Sequence, residues 1–205
     1  MSSSLESWLE DLAAKQPTPG GGAAAGMLVA TAAALAGMVA NYTTGTKWQD
    51  REEKMTEIVG QAAEMRRRAL GLMQADEAAF AAVGAAYKLA KESDEQKAVR
   101  QAAIHAAITL AADPPVRVVR LATEVIGLLE QLLAAGNPNV VSDVAVAASS
   151  ARAAIESAVV NIEINAVLIT DQKERKRLGV VVKDVAAPLA RADALVAAVR
   201  RSITA

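Results

Sequence analysis

The sequence predicts an all-α protein, a single-domain bundle of long antiparallel helices over residues 1–205. Hydrophobic residues make up 53% of the chain and aromatic residues only 2%, so the core must be assembled from small and aliphatic side chains. Such side chains let helices approach closely but bury little apolar area each, which favours a dimer, in which a partner subunit completes the bundle. Strand-like alternation of polar and apolar residues is missing.

The N-terminal part of the chain predicts one short helix and one long, charge-free helix. Ser4 to Ala14 is predicted to be amphipathic, because apolar residues at positions 5, 8, 9 and 12 recur at helical spacing. Gln16 to Thr46 contains no charged residue and exceeds the roughly 20 apolar residues that a bilayer span requires. Its Ala, Gly and Thr content favours a buried helix from Gly22 to Tyr42 over a membrane span.

Capping and stop signals divide the rest of the chain. Ser93-Asp94-Glu95-Gln96 is a capping-box pattern, and Gly136 with a proline two residues beyond it is a typical helix end. These signals predict further helices: Asp50 to about Lys91, Ser93 to the stop at Gly136 with a kink or restart at Asp113-Pro114-Pro115, a helix capped by Ser142 or Asp143 and running to about Thr170, and about Lys173 to Ser202 with a kink at Pro188.

Charge and composition exclude several classes of function. The net charge of −1 gives no excess of Lys and Arg to neutralise phosphates, so we expect no nucleic-acid partner. The chain has no cysteine, which excludes disulfides and thiol catalysis and fits a cytoplasmic location. Its single histidine, His105, stands among alanines inside a helix, so neither a zinc site nor a Ser-His-Asp triad is expected. The chain does not open with a signal-peptide pattern, and we expect no membrane partner.

The segment PTPGGG, Pro17 to Gly22, places five breaker residues before the buried helix. Proline fixes φ and glycine frees it, so the segment can build a turn with exposed backbone N–H groups. Those groups can hold an anionic or carbonyl part of a ligand at a helix N-terminus, although close helix packing explains the same glycines. Past the other end of this helix, Lys47 follows Gly45, where a lysine ordinarily compensates the helix dipole.

Two clusters of polar residues belong to the next predicted helix, one at its start and one within it. In GNPNVVSDVAVAA, residues 136–148, Ser142 or Asp143 would suffice as a cap, and Asn137 and Asn139 exceed what a cap needs, which leaves a structural role and a site both open. Asn161 and Asn165 lie four residues apart on an apolar helix, where each amide needs partners.

The spacing of these groups limits how they can act together. Asp143 and Asn161 share a helix face but stand about 27 Å apart along the axis. They can therefore meet only through an elongated ligand or through a second, antiparallel subunit.

Taken in order, the segments PTPGGGAAA, MVANYTTGTK, DEAAF, AAYKLAK and GNPNVVSDVAVAASSARAAIESAVVNIEIN resemble the cyclodeaminase/cyclohydrolase family of one-carbon folate enzymes. The resemblance runs over essentially the whole chain. It implies an all-helical subunit that forms a homodimer, binds tetrahydrofolate derivatives and needs no metal or redox cofactor. The implied activity is hydrolysis of 5,10-methenyltetrahydrofolate to 10-formyltetrahydrofolate. A formiminotetrahydrofolate cyclodeaminase that releases ammonia and a non-catalytic folate-binding helical protein are the alternatives.

The same resemblance assigns expected roles to individual residues. Asp143 is expected to act as general base or cation stabiliser, and Lys47 as proton donor or electrostatic partner. The expected substrate-binding residues are Pro19, Gly20, Gly21, Gly22, Asn137, Asn139, Ser142, Asn161 and Asn165.

The chain departs from the family pattern at four positions. Ala23 stands where many members have serine, Thr46 where a basic residue is usual, Gln49 where an aromatic residue is expected, and Ala90 where Leu-Pro is common.

Overall fold

The computed structural model describes residues 4–204. Within that range the chain forms eight α-helices and two short 3-10 segments, with no strand, as the composition predicts. The helices are α1 (Leu5–Ala13), α2 (Gly21–Asn41), α3 (Glu52–Tyr87), α4 (Asp94–Ala111), α5 (Asp113–Ala135), α6 (Val141–Leu168), α7 (Gln172–Asp184) and α8 (Ala186–Thr204).

The centre of the fold is α2, which packs against α3, α5 and α6. Most of its alanines are buried against larger aliphatic side chains, such as Leu129 of α5 and Ile155 of α6. The start of α2 lies near Asn161, late in α6, and the residues that follow α2 bond to Asn137, just before α6. The two helices therefore run antiparallel, and opposite ends of α6 lie at opposite ends of α2.

By length and composition, α2 could cross a membrane, but it is a core helix of this fold. Of its most apolar window, 56% is buried within the protein, and its neighbours are α3, α5 and α6. The prediction of a buried helix over these residues agrees with this packing. Met27, Thr31, Ala34 and Met38 form a half-buried to exposed strip along α2, called here the α2 strip, and it carries no charge.

Several predicted boundaries are correct. Ser4 caps α1 by accepting a hydrogen bond from the Ser7 N–H at 3.1 Å. The capping box is present, because the Ser93 hydroxyl accepts from the Gln96 N–H and the Gln96 side chain accepts from the Ser93 N–H, each at 3.2 Å. The chain also restarts at Asp113, so α4 and α5 are separate helices.

The structure corrects the predicted cap of α6. Neither Ser142 nor Asp143 caps this helix, which has no side-chain cap and begins at Val141. A 3-10 turn, Pro138–Val140, leads directly into α6. The chain is thus already helical when it reaches Ser142. Asn137 caps the 3-10 turn instead, because its side chain accepts from the Asn139 N–H at 3.0 Å.

Two other predicted helices differ from the structure. The one predicted to start at Asp50 begins instead with a 3-10 segment, Thr46–Arg51, and ends at Tyr87 rather than near Lys91. The predicted last helix is two helices, α7 and α8, which separate at Val185. Pro188 lies one turn after this break, in the first turn of α8; its missing N–H cannot bond the Asp184 carbonyl, so the break agrees with the kink predicted at Pro188.

Candidate functional site

A cavity of about 320 Å³ opens at the N-terminal end of α2. We call it the glycine cavity. It joins the loop before α2 to α3, α6 and the end of α4, and its lining residues are Pro17, Thr18, Gly20, Gly21, Gly22, Asp76, Phe80, Ala111, Asn161, Ile164, Asn165 and Leu168. Pro19 was predicted to bind substrate, but it does not line the cavity; it is half-buried and follows a cis peptide bond.

The glycines of this segment serve the close approach of α3 to the start of α2. A Cβ atom on Gly22 would overlap the carboxylate of Asp76, so only glycine leaves that carboxylate in its place. The first intrahelical bond of α2 runs from the Ala24 N–H to the Gly20 carbonyl at 3.0 Å. The N–H groups of Gly21 and Gly22 precede that bond and have no partner within the helix. Gly21 is exposed but Gly22 is buried against Asp76, so only part of the predicted row of exposed donors is present.

Asp76 supplies the only charged side chain among the cavity-lining residues. Burial raises the pKa of its carboxyl group; the Ala23 N–H, which donates to it, lowers that pKa, and the nearby Glu77 raises it. Its carboxylate thus sits at the positive end of α2, half removed from water.

Sequence reasoning missed Asp76. It lies on a long helix whose charged residues are mostly exposed, so its residue type alone does not distinguish it from a solvent-exposed aspartate. The signal that could have found it is the DEAAF motif, which begins at this residue.

Asn161 and Asn165 reach the glycine cavity as predicted, and their amides hydrogen-bond within the fold. The Asn161 Nδ2 donates to the Ser157 carbonyl at 2.9 Å, and the Asn165 Nδ2 donates to the Asn161 carbonyl at 2.8 Å. A longer bond of 3.4 Å links the Asn165 Nδ2 to the Ala111 carbonyl at the end of α4. Because the Nδ2 atoms are used in this way, the Oδ1 atoms remain as acceptors toward the cavity.

A second group of predicted residues lies at the opposite end of α2. The Asn137 Nδ2 donates to the Tyr42 carbonyl at 2.8 Å, and its backbone N–H donates to the buried Thr43 hydroxyl at 2.9 Å. These bonds join the loop before α6 to the residues that follow α2. Asn137 thus has a structural role, because both its amide nitrogen and its amide oxygen bond to the backbone.

Lys47 stands on the 3-10 segment at this same end. Gly45, with φ of 87°, allows the tight turn into that segment. The Lys47 Nζ lies 5.1 Å from the centre of the Trp48 ring, and the Arg51 guanidinium lies 5.2 Å from the same ring. Arg51 also donates to the Ala135 carbonyl at 2.8 Å, which holds the segment against the end of α5.

The remaining predicted residues lie on the approach to α6. Asn139 and Ser142 are exposed, and Asp143 is half-buried in the first turn of the helix. We call Lys47, Asn139, Ser142 and Asp143 the polar end. The helix α2 is about 30 Å long at 1.5 Å per residue, so the structure does not bring the polar end and the glycine cavity together within one subunit.

The part of the chain that the structure describes places neither a cluster of metal-binding side chains nor His105 beside these groups. The described residues include no cluster of three or more His, Cys, Asp or Glu side chains. His105 is half-buried on α4, and one of its ring nitrogens is 2.9 Å from the Gln101 amide nitrogen. Its place in the fold matches the helical packing or surface role that its sequence context suggests.

Comparison with known proteins identifies the family. Residues 4–184 match the family model described as formiminotransferase-cyclodeaminase. The chain belongs to this family. The resemblance drawn from the sequence motifs is therefore confirmed, and the glycine cavity and the polar end are both built from those motifs.

Curated relatives within the formiminotransferase-cyclodeaminase family fall into two kinds. The chain is 41% identical over 169 residues to a methenyltetrahydrofolate cyclohydrolase of Methylorubrum extorquens, a match that covers 82% of this chain and 81% of that protein. It is 29% identical over 180 residues to a formimidoyltransferase-cyclodeaminase of Rattus norvegicus. That second match covers 86% of this chain but only 33% of the rat protein.

A solved structure of the same family shares the fold. It is a formiminotetrahydrofolate cyclodeaminase from Thermotoga maritima, with a TM-score of 0.82 and 32% sequence identity. The superposition covers 97% of this chain and 94% of that one. The helical architecture described above is therefore that of a folate enzyme over nearly its full length.

Proposed function

We propose that this protein is a methenyltetrahydrofolate cyclohydrolase, which converts 5,10-methenyltetrahydrofolate and water into 10-formyltetrahydrofolate. The observation that carries the proposal is the 41% identity to a methenyltetrahydrofolate cyclohydrolase over four-fifths of both chains, 82% and 81%. The bifunctional rat relative is less similar, at 29%, and this chain spans only a third of it.

In the proposed reaction, the protein does not have to activate the substrate carbon as an electrophile. Water adds to the cationic carbon that bridges N5 and N10, and one of its protons is lost. The bond from that carbon to N5 then breaks as the hydroxyl group of the adduct loses its proton, N5 takes a proton, the formyl group stays on N10, and one proton is released overall. Because the substrate already carries the positive charge, we propose that no metal or redox cofactor is needed. The protein supplies a base, an acid and a fixed orientation.

Three residue groups are proposed for these tasks. Asp143 acts as general base or as the carboxylate that stabilises the cation, and Lys47 acts as proton donor or electrostatic partner. Asn139 and Ser142 position the substrate beside them. The N–H groups of Gly21 and Gly22, with Asn161 and Asn165, hold the other part of the folate at the glycine cavity.

These tasks require two copies of the chain, and we propose that the protein is a homodimer. The polar end and the glycine cavity lie at opposite ends of the antiparallel pair α2 and α6, too far apart to face one reacting carbon. A two-fold axis across the middle of α2 would bring the polar end of one subunit to the glycine cavity of the other. The α2 strip supports this arrangement, because it is free of charge, the hydroxyl of Thr31 is already bonded within the helix, and the strip runs between the two ends.

The alternative catalytic function is a cyclodeaminase. In that reaction N10 closes on the formimino group carried by N5, and ammonia leaves. The observation that favours it is the structural similarity to the Thermotoga maritima cyclodeaminase. The third candidate is a folate-binding protein without turnover, which the departures at Ala23, Thr46 and Gln49 favour.

The first experiment follows the absorbance of the methenyl chromophore with purified full-length protein. We expect its loss to be much faster than the spontaneous reaction. Asp143→Asn should reduce turnover about 10²-fold or more, with an unchanged helical circular-dichroism spectrum. Loss no faster than the spontaneous rate would reject the cyclohydrolase, and ammonia release from formiminotetrahydrofolate would then be measured. Unchanged turnover in the Asn variant would remove Asp143 from the mechanism.

We also propose that the protein acts in the cytoplasm. The support is the composition of the chain, because a protein without cysteine is suited to a reducing compartment. Fractionation of the source cells with an antibody to the protein would test this location. Enrichment in a membrane or secreted fraction would contradict it.

A further inference from the structure

We propose that Trp48 is a positioning residue for the proposed reaction. Its indole ring holds the ammonium group of Lys47 in one place at the polar end, and Arg51 fixes the ring. This inference rests on the proposed function, in which Lys47 acts as proton donor or electrostatic partner. Trp48 itself takes no part in the chemistry.

The side chain of Lys47 needs a constraint from outside its own residue. Lys47 is exposed, and so are Thr46, Gln49 and Asp50 on either side of it. A lysine side chain is a flexible four-carbon stem with many rotamers, so a free one spends little time in any single position. A proton donor is effective only while it is held within hydrogen-bond reach of the atom that takes the proton.

The segment that carries Lys47 is anchored at both ends to the connection between α5 and α6. Before the segment, Asn137 bonds to the residues that follow α2. After it, the Arg51 Nη1 donates to the Ala135 carbonyl at 2.8 Å. The backbone that carries Lys47 is thus fixed relative to the start of α6, where Asp143 lies. Both anchors act on the ends of the segment, so the ammonium group must be held separately.

Trp48 lies where it can hold that group. It is half-buried between exposed neighbours, and its N–H donates to the Gly45 carbonyl at 2.8 Å. The Lys47 Nζ lies 5.1 Å from the centre of the indole ring, within the distance of about 6 Å at which a ring face attracts a cation. Adjacent side chains do not face each other in a regular helix. The backbone at Trp48 departs from helical geometry, with φ of −125° and ψ of 23°.

Arg51 fixes the ring in turn. Its guanidinium carbon lies 5.2 Å from the centre of the same indole ring. The guanidinium is itself held, because it donates to the Ala135 carbonyl and, at 3.3 Å, to the Asp50 carboxylate. Two cations at one ring repel each other, so this arrangement depends on the attraction of the ring for both of them. The ring therefore links the Lys47 ammonium to an anchored group.

The charge of the substrate makes this support important for turnover. The proposed substrate carries a positive charge on the carbon between N5 and N10, and that charge repels an ammonium group. A freely rotating Lys47 would turn away from the substrate. On the ring of Trp48 it stays within reach of the nitrogen that takes a proton. Because the ring acts on this step, its loss should lower kcat more than it changes KM.

The first test compares Trp48→Leu with Trp48→Phe in the full-length protein, with methenyl loss as the assay. Trp48→Leu should lower kcat about tenfold and change KM less than about threefold. Trp48→Phe keeps an aromatic face and should retain about half of the wild-type kcat. Gln49→Leu, at the exposed neighbouring position, is the control and should leave both constants unchanged. Equal kcat losses in the Leu and Phe variants would overturn the role of the ring.

A second test changes the charge distribution of the ring and keeps its shape. The chain has two tryptophans, so Trp8→Phe leaves Trp48 as the only one. This protein is then prepared with tryptophan carrying one, two or three fluorine atoms on the ring. Each fluorine makes the ring face less negative, so kcat should fall stepwise, by about 2- to 5-fold in total. A kcat that stays constant along the series would overturn the cation–ring contact.

A double-mutant cycle separates positioning from a purely structural role. If Trp48 acts through Lys47, Trp48→Leu should lower kcat in the wild type but not in the Lys47→Met protein. Losses that multiply in the double variant would show that Trp48 acts independently of Lys47, and the proposal would be wrong. Circular dichroism of each variant checks that the helical fold is unchanged.

Failure of the proposed function has a different signature. In that case the wild-type protein itself would not accelerate methenyl loss. If the wild type hydrolyses the substrate and Trp48→Leu retains its kcat, only the assignment of Trp48 is wrong.

Discussion

At the scale of single residues, the contact between Gly22 and Asp76 sets the shape of the glycine cavity. The carboxylate occupies the space that a Cβ on residue 22 would need. The sequence predicted that the three glycines expose backbone donors, which the structure shows only in part, because Gly21 is exposed and Gly22 is buried. It could not predict the carboxylate opposite them, because 54 residues of chain separate the two positions and only the packing of α3 on α2 brings them together.

This contact predicts the effect of Gly22→Ala. The added methyl group must displace the Asp76 carboxylate, while alanine itself suits a helix start. We expect kcat/KM for methenyltetrahydrofolate hydrolysis to fall about 10²-fold, the order of loss that a misplaced group about 1 Å out of position can cause.

The matched control for this variant is Gly71→Ala on α3, where a new Cβ meets nothing within 4 Å. It should leave the kinetics unchanged and stabilise the protein by roughly 0.5 to 1 kcal/mol through helix propensity. Equal kinetics for the two variants would show that the position of the Asp76 carboxylate has no bearing on catalysis.

At the scale of elements, the sequence predicted most helix ends correctly where a capping side chain or a glycine marks the end. Ser4, Ser93 and Gly136 mark ends that the sequence identifies. The exceptions are ends that depend on a turn. The 3-10 turn before α6 takes the role expected of Ser142 or Asp143. The break at Val185 between α7 and α8 is not such an exception, because it lies one turn before Pro188, where the sequence predicts a kink.

The capping box of α4 predicts a stability effect. Ser93→Ala removes the acceptor of the Gln96 N–H and should lower the free energy of unfolding by about 1 kcal/mol. Chemical denaturation followed by circular dichroism measures this difference. A Ser93→Asp variant serves as control, because aspartate also caps helices and should retain most of the stability. Equal loss in the two variants would argue against capping as the cause.

At the scale of the whole molecule, the architecture divides the predicted site residues into two groups. The sequence already indicates that Asp143 and Asn161 stand about 27 Å apart on one helix, and α6 is continuous between them. The fold adds that α2 runs antiparallel beside α6, which carries Lys47 to the same end as Asp143. The surface that joins two copies depends on which side chains are exposed. The hydrophobic periodicity of a single sequence does not show this.

The proposed dimer predicts the effect of a charge on the α2 strip. Ala34 is exposed, so Ala34→Glu should leave the subunit folded, but it would place a charge in the interface between copies. We expect a monomer by light scattering and at least about a tenfold loss of turnover. Ala102→Glu, the same change at an exposed position of α4, is the control and should do neither. A dimeric Ala34→Glu protein would place the interface on another face.

Because α2 and α6 run antiparallel, the activity of the proposed dimer should depend on the concentration of the protein. In a dimer joined across the α2 strip, each reaction centre draws its two halves from different chains. A newly made, solitary chain would hold part of its substrate without converting it. Specific activity would then fall on dilution below the dissociation constant of the dimer, and mass action would set a threshold amount of protein for flux to begin.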